Sequence, residues 1–127
     1  MYSCVWNAES LQIYDLDTFE FVKQLDLIPS DVSLGIPKEI QGAAFYKNDL
    51  FITSNTNCSV WRIDINTGVT TFVLSDDTYK FHEYEMEGIT FFENEELQNN
   101  GYGVMMIFGN FMSLQKSLHT FNPLSLS

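Results

Sequence analysis

The sequence predicts an all-β protein, and three observations lead to that prediction. Short runs of aromatic and β-branched residues follow one another along the chain, almost without a helical pattern. Turn residues separate these runs, as at Asp17-Thr18 and Asn66-Thr67-Gly68. Strand–turn–strand stretches also occur more than once with closely similar residues. With 45% hydrophobic residues, the 127-residue chain has enough apolar material for one folded domain.

One repeated stretch is a hairpin. The segment LQIYDLDTFEFVKQLDL has two strand-like runs around a turn, and SVWRIDINTGVTTFVLS has the same shape. Asp15 and Asp64 take the same place in the two copies, which are 64 − 15 = 49 positions apart. The neighbouring residues, Ile-Tyr-Asp-Leu-Asp-Thr and Arg-Ile-Asp-Ile-Asn-Thr, indicate the same register.

A second pair of stretches supports the first. QGAAFYKNDLFITSN and EGITFFENEELQNNGYGVMMIFGN share a polar residue, a glycine, two small or β-branched residues and two aromatic residues. The glycines, Gly42 and Gly88, are 88 − 42 = 46 positions apart. The later stretch KSLHTFNPLS is similar to the Trp-Arg-Ile-Asp-Ile-Asn strand, with a turn at Asn122-Pro123. The chain is therefore predicted to repeat a strand–turn–strand unit.

Four-stranded units that recur at such a spacing are typical of β-propeller blades. With strands A to D counted outward from the central axis, we expect about three four-stranded antiparallel blades, half of a six-bladed propeller, with the first and last blades incomplete. Residues 1–28 would supply strands B–D of blade 1, residues 39–75 the whole of blade 2 and residues 83–123 strands A–C of blade 3, in one segment spanning 1–127. A small β-sandwich of about ten strands is the alternative.

The segment IPSDVSLGIPKEI joins the first two units. It is predicted to cross from the outer edge of blade 1 to the inner strand of blade 2, and Pro29 and Pro37 are expected to keep it out of strand pairing. Three blades cannot close a ring, and the inner strand of blade 1 is missing. We therefore expect open, apolar blade faces, and partners that cover them: a second copy of the chain, or the missing half of the propeller.

The acidic character of the chain excludes two classes of partner. Six Lys and Arg stand against 17 Asp and Glu, which gives a formal charge of −11. Nucleic acids and anionic membrane surfaces both need cationic partners, so neither is expected to bind. A cation, a basic partner or simple solubility fits this charge.

The first residues, MYSCVWNAES, contain no signal peptide, because they lack a basic region followed by an apolar one. The longest apolar run, Val104 to Phe108, is far shorter than the ~18–20 residues of a membrane-spanning helix. We therefore expect an intracellular protein, or one whose leader precedes residue 1. Cys4 and Cys58 do not have the spacing of a redox pair and are expected to be free thiols.

The stretches EGITFFE and QGAAFYKNDLFITSNTNCSVWRIDINTG resemble blade repeats of six-bladed propellers of the gluconolactonase, strictosidine-synthase and NHL kind. In those proteins an inner strand reads x-Gly-Ile/Leu-Ala/Thr, and outer strands read V-x-x-I-D-x-x-T-G. The resemblance covers most of residues 39–123 and is specific for the blade more than for one family. It implies the propeller fold and a functional site at one end of the central tunnel.

In the calcium-dependent lactonase and esterase branch of these propellers, a Glu and several Asn or Asp hold a metal ion, each just before the glycine of an inner strand or on an equivalent loop. The resemblance therefore implies Glu87 and Gln41 as ligands of Ca²⁺, a cation that takes six to eight oxygens. Gln41 stands where the family has Asn and is one methylene longer. The alternative is that both side chains line a water-filled funnel, hydrogen-bonded to backbone groups at strand ends.

His82 is the third candidate for the site. It lies in the acidic stretch HEYEMEG, which also contains Glu83 and Glu85, and would face the tunnel mouth as a ligand-binding residue or as a general base beside a metal. The alternative is an ordinary surface histidine. The chain has two histidines and no G-x-S-x-G sequence, so a Ser-His-Asp triad has no support and no catalytic residue is assigned.

Two function hypotheses follow, and whether the protein is an enzyme stays open. The first is a non-enzymatic β-propeller binding or interaction module that uses the funnel at the inner-strand ends, with Gln41, Glu87 and His82 in contact with the ligand. The second is a calcium-dependent hydrolase of the lactonase or esterase type. The first is favoured, because Gln41 departs from the ligand pattern of the resembling family and no firm catalytic base is evident.

Overall fold

The computed structural model describes residues 1–3, 7–75, 88–93 and 95–99, together with the backbone of 104–110 and 115–121. Strands dominate these ranges, so the prediction of an all-β protein is confirmed. A single-turn helix, α1 (Glu95–Asn99), lies between two of the strands. The strands are β1 (Tyr2–Ser3), β2 (Ser10–Tyr14), β3 (Phe21–Asp26), β4 (Ile28–Pro29), β5 (Ile40–Tyr46), β6 (Asp49–Ser54), β7 (Ser59–Asp64), β8 (Val69–Ser75), β9 (Gly88–Phe92), β10 (Val104–Asn110) and β11 (Gln115–Phe121).

These strands form three sheets, each built on an up-and-down meander, and β4 joins the edge of the second. The first sheet has the order β1-β2-β3, the second β5-β6-β7-β8-β4 and the third β9-β10-β11. All pairings are antiparallel except that of β4 with β8. Within the described ranges the three sheets do not close on one another as a ring.

Strand β4 corrects the prediction that Pro29 keeps the joining segment out of strand pairing. Ile28 and Pro29 pair in parallel with β8 at the edge of the second sheet. The N–H of Ile28 donates to the carbonyl of Gly68 at 2.9 Å, and the N–H of Ser30 donates to the carbonyl of Thr70 at 2.9 Å. Along an edge strand only alternate residues donate to the neighbour, and Pro29 lies between two donors. Its missing N–H therefore costs the sheet no hydrogen bond.

The first and second sheets share a register at both ends of their strands when residue numbers are offset by 49, although the register shift follows Ile13 in the first sheet and Val60 in the second. Ser10 pairs with Asp26 in the first sheet and Ser59 with Ser75 in the second, where 59 − 10 = 49 and 75 − 26 = 49. At the same offset, β1 lies opposite β2 as β6 lies opposite β7. Strands β1, β2 and β3 thus correspond to β6, β7 and β8 in their backbone pairing.

The second and third sheets also correspond, with one longer connection. Ser54 pairs with Ser59 and Asn110 with Gln115, which gives an offset of 110 − 54 = 56 and 115 − 59 = 56. The first strands of the two sheets, β5 and β9, correspond at the offset of 46 found in the sequence. The connection from first to second strand is therefore 56 − 46 = 10 residues longer in the third sheet, and α1 lies within it.

The second sheet lies between the other two and is covered on both faces. Strand β6 directs Leu50 and Ile52 toward the first sheet and Phe51 toward the third, because successive side chains of a strand point to opposite faces. Every residue of β6 after its first is buried as a result. The cluster facing the first sheet consists of Leu11, Leu25, Leu27, Leu50, Ile52, Trp61 and Ile63. The cluster facing the third sheet is built on Tyr46, Phe51, Cys58 and Val60.

The outer face of the first sheet, which points away from the second, is polar at its centre. The side-chain amide of Gln12 donates to the hydroxyl of Ser10 at 3.1 Å and to the side-chain carbonyl of Gln24 at 3.2 Å. At the offset of 49, Gln12 corresponds to Trp61, which is buried between sheets. The expectation that an open blade face is apolar is therefore wrong for the centre of this face. The expectation holds only at the hairpin end of the face, where two aromatic rings meet.

Candidate functional site

The structure describes one of the three candidate site residues. It also describes the strand that follows a second candidate residue. Gln41 lies in β5, and Gly88, which follows Glu87, is the first residue of β9. Glu87 and His82 lie outside the described residues. The geometry of the site is therefore that of Gln41 and of the two strands, β5 and β9, on which the predicted funnel depends.

Gln41 is the extra residue of a β-bulge. Ile40 pairs with Ser54 and Gly42 with Thr53, so Gln41 has no partner across the ladder and the register shifts there. The N–H of Gly42 donates to the hydroxyl oxygen of Thr53 at 2.9 Å, next to the bulge. Bulges bend a strand and change the direction of a side chain, and they are frequent beside functional sites.

Three loop contacts hold the start of β5 in place. The N–H of Glu39 donates to the side-chain carbonyl of Asn7 at 3.1 Å, and the carbonyl of Glu39 accepts from the N–H of Asn55 at 3.0 Å. The hydroxyl of Ser54 also donates to the carbonyl of Lys38. The backbone just before Gln41 is thus bound to the β1–β2 and β6–β7 loops. Sequence reasoning missed these residues, because a single Asn or Ser carries no signal of a partner so far along the chain.

The far ends of β5 and β9 meet at Tyr46. Its ring lies 5.2 Å from the ring of Phe91, and its hydroxyl donates to the carboxylate of Glu93 at 2.5 Å. Burial raises the pKa of Tyr46 to about 12, and the hydrogen bond to Glu93 and the charge of that carboxylate act in the same direction. Strands β5 and β9 are therefore fixed to each other at the end opposite Gln41.

Several carboxylates of the described chain are used in turns. The Oδ1 atom of Asp15 accepts the N–H groups of Asp17 and Thr18, each at 2.9 Å, and that of Asp31 accepts the N–H and the hydroxyl of Ser33 at 2.9 and 2.6 Å. The bond from Thr18 is the main reason that the pKa of Asp15 is lowered. Such turn carboxylates stabilise loops locally.

No group of three or more His, Cys, Asp or Glu side chains within the described ranges is placed to hold a metal ion. Of the two predicted calcium ligands, Gln41 and Glu87, only Gln41 lies within the described residues. Its amide oxygen suits a hard cation and suits a hydrogen-bond donor equally well. The metal role of Gln41 and Glu87 stays a prediction.

The chain matches no protein-family model, no curated protein and no solved structure. The resemblance to gluconolactonase-type propellers therefore rests on the residues of the chain alone. Among the helical residues that the structure describes, none form a segment long and apolar enough to cross a membrane.

Proposed function

We propose that the chain is a segment of about three blades from a six-bladed β-propeller and that it acts as a non-enzymatic binding module. The ligand would bind in the funnel where the first strands begin, in contact with Gln41, Glu87 and His82. The observation that carries this proposal is the bulge at Gln41, at the start of a strand that is fixed to β9 at its other end. A bulge changes the direction of a side chain.

The matched registers support the propeller part of the proposal. A strand pairing that recurs at offsets of 49 and 56, in meanders packed face to face, is what a chain of blades would have. In this arrangement β5 and β9 are inner strands, and Gln41 and Glu87 are neighbours at the funnel mouth. The remaining blades would come from a second copy or from the missing half of the ring.

The chemistry of the funnel favours a basic or hydrogen-bonding ligand. Glu87 contributes a carboxylate and Gln41 an amide, in a chain with a formal charge of −11. A field of this sign attracts cationic groups and repels phosphates and carboxylates. We therefore propose a protein segment or a small molecule that presents ammonium, guanidinium or amide donors to these two side chains.

Site-specific photocrosslinking tests the proposal. A photoreactive residue at position 41 or 87 should capture a ligand from a cell extract, and an excess of unmodified chain should compete for it. The same residue at Asn48, which is exposed at the opposite end of β5, is the matched control and should capture nothing that is competed. Equal capture at positions 41 and 48 would contradict binding at the funnel. Calcium-dependent hydrolysis of lactones or aryl esters that is lost in Glu87→Gln would favour the hydrolase instead.

A further inference from the structure

Glu39 is the only left-handed residue of the described chain, glycines aside, that lies outside a turn between consecutive strands. Its φ is 51°. The others, Phe19, Lys47, Asn57 and Cys58, lie in the β2–β3, β5–β6 and β6–β7 turns, where a left-handed backbone is common. Glu39 instead lies in a bend just before β5. A left-handed backbone is unfavourable for a glutamate, so the surrounding structure must hold it there.

Two loops hold Glu39 in this conformation. Its N–H donates to the side-chain carbonyl of Asn7 at 3.1 Å, and its carbonyl accepts from the N–H of Asn55 at 3.0 Å. Asn7 belongs to the β1–β2 loop and Asn55 to the β6–β7 loop. Both backbone polar groups of Glu39 are therefore used. The backbone from which its side chain leaves is fixed by two separate parts of the fold.

The carboxylate of Glu39, in contrast, is not used by the fold. Within the described ranges it has no hydrogen-bond donor and no ion-pair partner, and the residue is half-buried. The carboxylates of Asp15 and Asp31 differ, because each accepts N–H groups of its own turn. The strained backbone of Glu39 thus presents a carboxylate that is available to a ligand.

Gln41 lies two residues farther along, at the bulge of β5, and its side chain likewise has no hydrogen-bond partner within the described ranges. Its amide oxygen accepts hydrogen bonds, as the Glu39 carboxylate does. Two acceptors, one of them charged, therefore lie within three residues at the start of β5. A guanidinium group suits such a pair, because its planar fork donates two N–H groups to a carboxylate and has further N–H groups for a neighbouring oxygen.

We propose that Glu39 binds the guanidinium group of an arginine side chain on a partner polypeptide, with the amide oxygen of Gln41 as the second acceptor. The inference rests on the proposed function, which places a ligand at Gln41, and it names the group of that ligand which is recognised. The formal charge of −11 attracts such a cation. The left-handed backbone is then the conformational cost of a binding residue, since strained residues cluster at such sites.

Three blocked tripeptides are the probes. They are acetyl-Gly-Arg-Gly-amide and its counterparts with lysine and with citrulline, which has the shape of arginine but no charge. Each is titrated into the intact 127-residue chain, and the NMR shift of the Gly42 amide reports binding. We expect saturable shifts with the arginine peptide, about tenfold weaker binding of the lysine peptide and no binding of the citrulline peptide. Equal binding of the arginine and lysine peptides would overturn the guanidinium assignment.

Variants of the protein separate the carboxylate from the backbone. Glu39→Gln should weaken binding of the arginine peptide about tenfold. Glu20→Gln is the matched control, because it removes the same charge at the β2–β3 turn, the end of the first sheet opposite Asn7, and should leave binding unchanged. Glycine adopts a φ of 51° without strain, so Glu39→Gly should resist urea as well as the wild type or better, and should still lose binding. Lys47→Gly, at a φ of 55° beyond the other end of β5, should keep it.

A purely structural role of Glu39 predicts a different result. Glu39→Gly would then be stable and would bind the arginine peptide as the wild type does, which would overturn the proposal. Absence of any binding by the arginine peptide would also overturn it. Photocrosslinking at position 41 reports on the proposed function separately. Competed capture there, together with equal arginine binding by the wild type and Glu39→Gln, would refute the role of Glu39 and leave the binding module standing.

Discussion

Phe19 and Gly68 occupy the same place in two hairpin turns and share a left-handed backbone, with φ of 59° and 81°. The N–H of Phe19 donates to the carbonyl of Asp15 at 3.0 Å, and the N–H of Gly68 donates to that of Asp64 at 2.7 Å. The two turns differ in their surroundings. A Cβ atom on Gly68 would lie 2.0 Å from the carbonyl oxygen of Asp26, whereas Phe19 carries an exposed side chain.

This difference predicts that Gly68→Ala strongly destabilises the protein. The new methyl group is disfavoured by the left-handed backbone and collides with the backbone of Asp26. Together these effects should lower the free energy of unfolding by about 2–5 kcal/mol. Urea unfolding monitored by tryptophan fluorescence measures the change.

Gly35→Ala is the matched control for that substitution. Gly35 also has a left-handed φ of 70°, but a Cβ atom there would meet nothing within 4 Å. It should therefore lose only the backbone part, about 1–2 kcal/mol. Phe19→Gly should leave stability unchanged or raise it, since glycine adopts this φ without strain. Equal losses for Gly35→Ala and Gly68→Ala would show that the contact with Asp26 is unimportant.

The raised pKa of Tyr46 predicts a loss of stability at high pH. The folded-state pKa is about 12, above the ordinary value of about 10. Between these values the unfolded phenol loses its proton while the folded one keeps it, so the free energy of unfolding falls as pH rises. The contribution is fully present below pH 10. Thermal unfolding from pH 8 to 12 should therefore show a steeper decline for the wild type than for Tyr46→Phe.

Glu93→Gln separates the causes of that shift. The amide oxygen of glutamine still accepts the hydroxyl of Tyr46, but the negative charge is gone. Part of the high-pH decline should disappear, and the part due to burial should remain. If Glu93→Gln and the wild type declined identically, the charge of Glu93 would have no influence on Tyr46.

Thr53 is predicted to stabilise the bulge at Gln41. Thr53→Val keeps the shape of this buried side chain but leaves the N–H of Gly42 without its acceptor. Because the N–H of Gly42 is half-buried, its loss of this acceptor should lower the free energy of unfolding by about 1 kcal/mol, and Thr53→Ser, which keeps the hydroxyl, should lose less. Hydrogen exchange of the Gly42 amide should quicken in Thr53→Val alone. An unchanged exchange rate would contradict this role.

Calcium separates the binding module from the hydrolase. Gln41 stands in the slot where the resembling family has the shorter Asn, so we expect Ca²⁺ to leave the melting temperature of the assembled protein unchanged. A ligand that binds the folded state raises the melting temperature by mass action. A rise in melting temperature with Ca²⁺ that Glu87→Gln abolishes would contradict this expectation. It would favour the calcium-dependent hydrolase. Mg²⁺ at equal concentration controls for ionic strength.

The hairpin turns show what local residues predict well. The carboxylates of Asp15 and Asp64 accept the backbone N–H groups two and three positions ahead. The residues that form each turn therefore lie within five consecutive positions. The prediction of strands on either side is confirmed for the same reason, because alternation and β-branching act within one strand. For the candidate site, sequence reasoning singled out Gln41 by its place before Gly42, but not the bulge or the support from Thr53 and Asn7.

The sequence by itself determined the all-β class, the hairpin turns and the strand units, since each depends on residues a few positions apart. Only the tertiary structure decided that Pro29 pairs at a sheet edge, that Gln12 and Gln24 make the outer face polar, and that Phe45 stays exposed while Phe91 is covered. Those features depend on which strands pack together, and burial or exposure of a side chain is a property of the packed sheets.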